Sequence, residues 1–491
     1  MNTRHCLLLL FLIPCLSWSQ TYNLNVTHGF GTETYAEGDT IYIWANPDFN
    51  EYVFKDWQGS ATNYMLEQNE WLTRIVVPIG SNIGNISAQG TFNDLSSTVI
   101  TTHESIVLPG KDNGVQIPTV VNVHSRIPLN PIGIIVCFHG TGGSGAGFET
   151  YFEKNAFFKA GANRNYIMIA ADANEKTFGD QNNDGALRWE INDPATDDES
   201  NNIDIKMIKA LRDTIITRLN LPSDFATFAL GVSNGANFAD LCAAALQFNA
   251  SGHMTGNGHP DVYATRPDAT PVIFVQSEND QNSSANPAVV LSNYDALLNR
   301  GITAEFHWHK KTPVYPFRFA RTEDMLISPS TSDSIFQRMV DTAGLLDPEN
   351  KLLIQDNSGL PSNLFTGLGL SSGSMTDCEN QIKIMNADHK FHSHYNNRII
   401  DFFDGELTGS LPINDNDDNH EIYLYPNPAN DHISISSTNN VIHCELYSTK
   451  GEFLERFIYQ SKFNLSKYPS GSYFMKIQMD DHVLLRKIIK Q

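Results

Sequence analysis

The sequence predicts an α/β fold: a doubly wound, mainly parallel sheet wrapped by helices, flanked by a small N-terminal all-β domain and a C-terminal β-sandwich. Across residues 97–404, short apolar runs alternate with stretches of helical length, the rhythm of successive βαβ units. Residues 20–96 and 421–491 instead carry short strand-like runs rich in Tyr, Thr, Val and Ile, with turn residues every few positions. A polar run, Asn414-Asp415-Asn416-Asp417-Asp418-Asn419, marks a linker over 405–420.

Bulk numbers bound what this fold can do. At 491 residues the chain exceeds one ordinary core, and several domains are expected. With 41% apolar and 18% charged residues it has the composition of a folded, soluble protein. A net charge of −22 argues against nucleic acid, whose phosphates need Lys and Arg, and against anionic membrane surfaces. Neutral or insoluble polymers stay open as substrates.

Residues 1–19 have the pattern of an export signal. Arg4 precedes a short apolar run over 6–16, and Ser17 and Ser19 supply small residues at the −3 and −1 positions before Gln20. The run is too short to span about 30 Å of hydrocarbon. No later stretch is long and apolar enough to do so, so soluble export is expected. Cys6 and Cys15 leave with the signal. Cys137, Cys242, Cys378 and Cys444 are scattered without metal-ligand spacing, and the first two are expected to fill core space.

Within the N-terminal domain, His28-Gly29 and Glu37-Gly38-Asp39 punctuate the strands, and Trp44, Trp57 and Trp71 either stack on sugars or fill the core of a small sheet. In the middle domain, strands are expected at 115–123, 132–138, 166–171, 225–232, 272–276, 303–307 and 381–385. Helices are expected at 148–160, 203–219, 235–248, 287–300 and 392–403. Residues 310–378 interrupt the rhythm with Pro313, Pro316 and Pro329 and a helix near 332–342. As an insertion between the last strands, this segment would form a lid over the carboxyl edge of the sheet, where ligands bind.

Gly231-Val232-Ser233-Asn234-Gly235 follows an apolar strand and opens a helix. A serine at such a tight corner needs neighbours without bulky side chains, and the helix N-terminus favours the negative charge of an attacking oxygen. Cys137-Phe138-His139-Gly140-Thr141-Gly142-Gly143 also follows an apolar strand. Such a loop turns N–H groups toward the nucleophile, so Thr141 and Asn234 are expected to form an oxyanion hole. His139 is expected to brace the loop rather than act as base. An acid and a base should follow in chain order. Asp280 ends a strand, with Glu278 as its rival, and His389 is the expected general base, with His392 and His394 as alternatives. Ser233, Asp280 and His389 together point to acyl transfer through a covalent intermediate. That chemistry requires no cofactor.

Two clusters carry weaker signals. Asp180, Asn182 and Asp184 alternate like calcium ligands, but the acid expected at position 12 is displaced to Glu190, so either a calcium loop or a plain turn is possible on spacing. His307 and His309 share one strand face, half of a metal site. Trp189, Trp308 and Phe317 are candidates for lining a substrate cleft.

The middle domain resembles α/β-hydrolase esterases of the polyhydroxybutyrate depolymerase, feruloyl esterase and acetyl xylan esterase type. The resemblance rests on His139-Gly140-Thr141-Gly142-Gly143-Ser144, Gly231-Val232-Ser233-Asn234-Gly235-Ala236, Asp280, and His389 followed by Ile399-Ile400-Asp401-Phe402-Phe403. It implies a secreted serine esterase acting on an ester-bearing polymer or a small ester, such as acetyl or feruloyl groups on plant polysaccharide, or polyester. Two other classes share parts of the pattern: a prolyl-oligopeptidase-type peptidase, and a non-catalytic surface-binding protein on a hydrolase core. Residues 20–96 resemble divergent internalin-B-like surface repeats through Tyr22-Asn23-Leu24-Asn25-Val26, Gly29-Phe30-Gly31-Thr32 and Tyr52-Val53-Phe54-Lys55-Asp56-Trp57. Residues 421–491 resemble the C-terminal sorting domain of type IX secretion through Leu424-Tyr425-Pro426-Asn427-Pro428-Ala429, Pro469-Ser470-Gly471-Ser472-Tyr473-Phe474 and the basic end Arg486-Lys487-Ile488-Ile489-Lys490. That implies the secretion machinery as a partner and a final location outside the cell or on its surface.

Overall fold

The computed structural model describes residues 20–46, 50–321, 327–408 and, within 422–490, the segments 422–425, 429–437, 441–448, 453–458, 462–479 and 483–490. The expected export signal and residues 409–420 of the expected linker lie outside the described residues. Residues 405–408 belong to the helix Asn396–Thr408.

The middle of the chain is built on eight strands: β1 Val99–Asp112, β2 Val115–Pro128, β3 Gly133–Phe138, β4 Tyr166–Ala171, β5 Thr227–Val232, β6 Ala250–Met254, β7 Val272–Ser277 and β8 Ala304–His309. They lie side by side in the order β1-β2-β4-β3-β5-β6-β7-β8. Strands β3 to β8 are parallel, β2 runs antiparallel to β4, and β1 runs antiparallel to β2. This is the α/β-hydrolase order. Strands β3 to β7 are buried along their whole length, as a sheet covered on both faces requires. One face packs on helices Ile203–Arg218, Asn234–Leu246 and Pro287–Asn299 through Ile208, Leu241 and Val290. The other packs on Phe152–Asn163 and Asn396–Thr408 through Phe157, Ile399 and Phe403. The chain winds in opposite senses from β3 and β5, which are neighbours, so the carboxyl ends of these two strands mark the switch point where ligands bind.

Two expectations are corrected here. Residues 381–385 are not a strand but the last turns of the helix Ser372–Met385, capped by the Ser371 side chain accepting from the Ser374 N–H. Its buried residues Cys378, Ile382 and Met385 recur at four and three positions, a helical period that a five-residue window hides. The interrupting segment therefore follows the final strand, β8, rather than lying between strands. It forms its own small core of Val314, Phe319, Ile335, Met339, Leu345 and Leu364, around the helix Pro329–Val340.

The N-terminal domain is two facing sheets, one of four strands and one of three. Trp57 and Trp71 are buried in its core, and Trp44 stacks on Tyr315 of the 310–378 segment at 3.9 Å between ring centroids. Core filling, not an open sugar face, is what these rings do. Phe317 stacks on Phe30 at 4.3 Å, which takes it away from any cleft. The Trp71 ring lies under the Arg321 guanidinium at 3.4 Å and donates its indole N–H to Ser393 Oγ at 2.9 Å. The C-terminal strands form a three-stranded and a four-stranded sheet with Ile433, Leu446, Phe463 and Met475 in a shared core. Cys137, Cys242, Cys378 and Cys444 are buried and unbridged. Among the described residues no helix is long and apolar enough to cross a membrane.

Candidate active site

Ser233 stands between the end of β5 and the helix Asn234–Leu246, with φ 58° and ψ −125°. A side-chain-bearing residue held there costs roughly 1–3 kcal/mol, and surrounding contacts must impose it. The flanking glycines show how. A Cβ at Gly231 would collide with the carbonyl of Gly235, and one at Gly235 would collide with the carbonyls of Phe138 and His139. The corner can turn this tightly only without side chains at both positions.

The loop after β3 lies against the corner: a Cβ on Gly140 would sit 3.2 Å from Ser233 Cβ. The Gly142 and Gly143 N–H groups are tied to the carbonyls of Leu187 and Gly140. Those of Thr141 and Asn234 hold no such backbone bond among the described residues, and Thr141 lines the same cavity as Ser233. His139 is fully buried. Its Nε2 accepts from the Ala173 N–H at 3.2 Å, so its Nδ1 donates to the Gly140 carbonyl at 2.9 Å. Burial holds its pKa down to about 4, and the ring is a neutral brace.

Asp280 follows β7. Its Oδ1 accepts from the Asn282 N–H at 2.9 Å, and its Oδ2 lies 2.8 Å from His389 Nδ1. The rival Glu278 is turned away and accepts from the Lys311 N–H. His389 is placed by its lead-in, where the Ala387 carbonyl accepts from the Asn279 N–H at 3.0 Å and the Met385 carbonyl from the Thr312 N–H at 3.0 Å. With Nδ1 on Asp280, Nε2 is the ring atom left to act as base, and it has no hydrogen-bond partner among the described residues. Ser233 and His389 line one cavity of about 470 Å³, together with Gly140, Thr141, Tyr151 and Lys154. The structure thus brings together the expected nucleophile loop, oxyanion loop, acid and base at one end of the sheet. His392 and His394, the rival bases, are buried and do not line the cavity.

Both tryptophans expected in the substrate cleft are elsewhere. Trp189 is 1% exposed; it stacks on Phe238 and donates its indole N–H to the His139 carbonyl at 2.9 Å. Its backbone N–H donates to the Asn234 side chain at 3.0 Å, so it supports the nucleophile corner from behind. Trp308 lies on β8 opposite Gln276, with its ring against Phe306, and does not line the cavity. The residues that do line it include Lys154, Asp377, Asn380 and Lys390, none of which stood out in the sequence. The one available signal was the adjacency of Lys390 to His389.

The oxygens of the Asp180, Asn182 and Asp184 loop are engaged within the loop itself. Asp180 accepts from the N–H groups of Asp184 and Gly185, Asn182 from that of Asp184, and Asp184 from that of Ala186 and from the Arg188 guanidinium. That is the bonding of an Asn/Asp turn. The one group among the described residues with a metal-like donor set is His309, His392 and His394, whose ligand atoms lie within 4.8 Å of one another. His309 donates from Nε2 to the Ile384 carbonyl at 2.8 Å. The positive charge of Arg318 acts on all three rings and opposes a cation there. His307, its neighbour on the strand, is instead engaged with Glu305 and Arg398.

No curated relative matches the chain. Among solved structures it is similar to a dienelactone hydrolase from Anabaena variabilis, at 16% identity over 43% of this chain and 87% of that one, TM-score 0.29. It is also similar to esterase Est22, at 11% identity over 43% and 71%, TM-score 0.30. A bacterial esterase is similar at 13% identity over 43% and 84%, TM-score 0.28. Residues 423–491 match the secretion system C-terminal sorting domain, so the chain carries the type IX sorting tail that its sequence resembles.

Proposed function

We propose that this chain is a secreted serine hydrolase of carboxylic esters, with Ser233 as nucleophile, His389 as general base and Asp280 as the group that orients it. One observation carries the reading: His389 is anchored through Nδ1 to a buried carboxylate while its bare Nε2 belongs to the residue lining the cavity with the strained Ser233 corner. Ser233 Oγ attacks the ester carbonyl carbon as its proton passes to Nε2. The carbonyl oxygen becomes negative and is held by the N–H groups of Thr141 and Asn234, each donor lowering the barrier by roughly 3 kcal/mol. Collapse of the tetrahedral adduct expels the alcohol, which takes the proton from the imidazolium. Water then repeats the sequence on the acyl-enzyme and releases the acid. Each proton and charge is carried by these groups, and no step calls for a cofactor.

Acetyl or feruloyl esters on plant polysaccharide and polyester are the substrate classes proposed. The cavity volume falls within the range of small-ligand sites, which suits a single acyl group better than a polymer strand. The sorting tail supports a reaction outside the cytoplasm, with the secretion machinery as a transient partner.

Purified chain should hydrolyse 4-nitrophenyl acetate and take up a fluorophosphonate label. Ser233→Ala should lose both while keeping its melting temperature. Hydrolysis or labelling that survives in Ser233→Ala would overturn the assignment.

A further inference from the structure

We propose that Lys154 and Lys390 form an anion subsite inside the catalytic cavity, and that the ester cleaved here carries a carboxylate. The substrate half of this inference rests on the esterase reading above; the subsite itself does not.

Lys154 lies on the helix Phe152–Asn163, and Lys390 directly follows the base. Both line the cavity shared by Ser233 and His389. The Lys154 ammonium rests on aromatic rings, 4.9 Å from the Phe148 centroid and 5.5 Å from that of Tyr151. Neither lysine is in an ion pair among the described residues. The adjacent Glu153 cannot serve as counter-ion, because Arg318 Nη2 at 3.1 Å, the Ser393 N–H at 2.8 Å and the Ser393 hydroxyl at 2.6 Å occupy its carboxylate. The remaining acid in the lining is Asp377, a single half-buried carboxyl whose pKa burial raises.

Two lysines therefore line a cavity in which, among the described residues, Asp377 is the one acid besides the engaged Glu153, while the charge of Asp388 reaches Lys390 from outside the lining. Taking an ammonium out of water costs free energy unless a partner replaces the lost hydration. The strain registers at both: burial and then Lys390 bring the Lys154 pKa down to about 8, and burial lowers Lys390 as well. A carboxylate on the substrate supplies the missing charge and leaves the ester carbonyl beside Ser233. Neutral acyl groups gain nothing from these two side chains.

The test compares charged and neutral esters of like size. On the acyl side, 4-nitrophenyl hydrogen glutarate is set against 4-nitrophenyl pentanoate; on the alcohol side, 4-acetoxybenzoate against its methyl ester. For at least one pair, kcat/KM should favour the charged ester by about tenfold or more, the scale of one charge-assisted hydrogen bond. Lys154→Met and Lys390→Gln should each collapse that ratio toward one; a general loss of activity cancels in the ratio. In parallel, glutarate should raise the melting temperature of Ser233→Ala and fail to do so when Lys154→Met is added. Hydrolysis of the neutral esters without preference, and no shift with glutarate, overturns the subsite and leaves the esterase reading standing. A Lys154-dependent glutarate shift with no hydrolysis of any ester does the reverse.

Discussion

His389 and Asp280 sit 109 residues apart in sequence and 2.8 Å apart in space, the imidazole Nδ1 on a carboxylate whose side chain is fully shielded from solvent. That contact fixes the ring tautomer and leaves Nε2 to accept a proton. Asp280→Asn should therefore lower kcat by about 10⁴-fold, because the amide can present its NH₂ to Nδ1 and turn the protonated nitrogen toward the serine. KM and melting temperature should change little, since the asparagine side chain has the same shape. Steady-state kinetics on 4-nitrophenyl acetate would read the split, and a kcat within tenfold of the parent would remove Asp280 from its role.

Much of this site was visible before the structure, for reasons that can be named. Glycines flanking Ser233 and filling the His139–Gly143 loop follow apolar runs, and only a backbone corner explains such spacing. Strand β6, Ala250-Ser251-Gly252-His253-Met254, was missed because it has no β-branched residue and carries Gly252 at its centre. Strand β1 was missed because, after Val99 and Ile100, its first half is the polar run Thr101-Thr102-His103-Glu104-Ser105, exposed or half-buried. Residues 381–385 looked like a strand because a short apolar run does not reveal its period. Trp189 was placed in the cleft because a large aromatic residue carries no mark of which side it faces. Contacts such as Trp71 to Ser393, 322 positions apart, leave no local trace at all.

The strained corner makes a second prediction. Gly235→Ala puts a methyl group against the carbonyls of Phe138 and His139, where β3 ends and its loop begins, and neither can retreat without moving β3. The variant should lose about 3 kcal/mol or more of stability, or fail to accumulate as folded protein. Chemical denaturation would measure it; a loss below about 1 kcal/mol would mean that the corner relaxes.

The N-terminal domain also bears on His389, the proposed base. Trp71 binds Ser393, four residues from His389, and its ring covers Arg321, while Glu70 accepts from the Arg398 N–H at 3.1 Å. Trp71→Ala should cost about 3–5 kcal/mol, the usual scale for emptying a buried aromatic site. Trp71→Phe keeps most of the ring but leaves Ser393 without the indole donor, so it should cost less stability. Its kcat should fall more than its KM changes if the Ser393 segment helps to place His389. Equal stability of Trp71→Ala and the parent would mean that the two domains are not coupled.

Acid should destabilise this chain well before its ordinary carboxylates are titrated. Burial, the largest cause at each, holds His139, His253 and His309 down to about 4, and His392 and His394 are held well below the ordinary value of 6.5. All five are neutral in the fold, whereas in the unfolded chain they take up protons once the pH falls below about 6.5. Stability is therefore fully present above that value and is lost as pH falls toward 4, because the unfolded state binds more protons. Each ring held at about 4 contributes up to roughly 3 kcal/mol over that window. Buried carboxyls work the other way: burial raises Asp204 to about 7 and also raises Asp377, Asp401 and Glu406, so their cost is relieved as pH drops. The five rings, which begin to titrate in the unfolded chain near 6.5, outnumber these four carboxyls and set the sign. Unfolding free energy from urea melts should fall between pH 7 and pH 5, and His253→Phe, which removes one of the five, should flatten the slope. A chain as stable at pH 5 as at pH 7 would show that these histidines reach protons without unfolding.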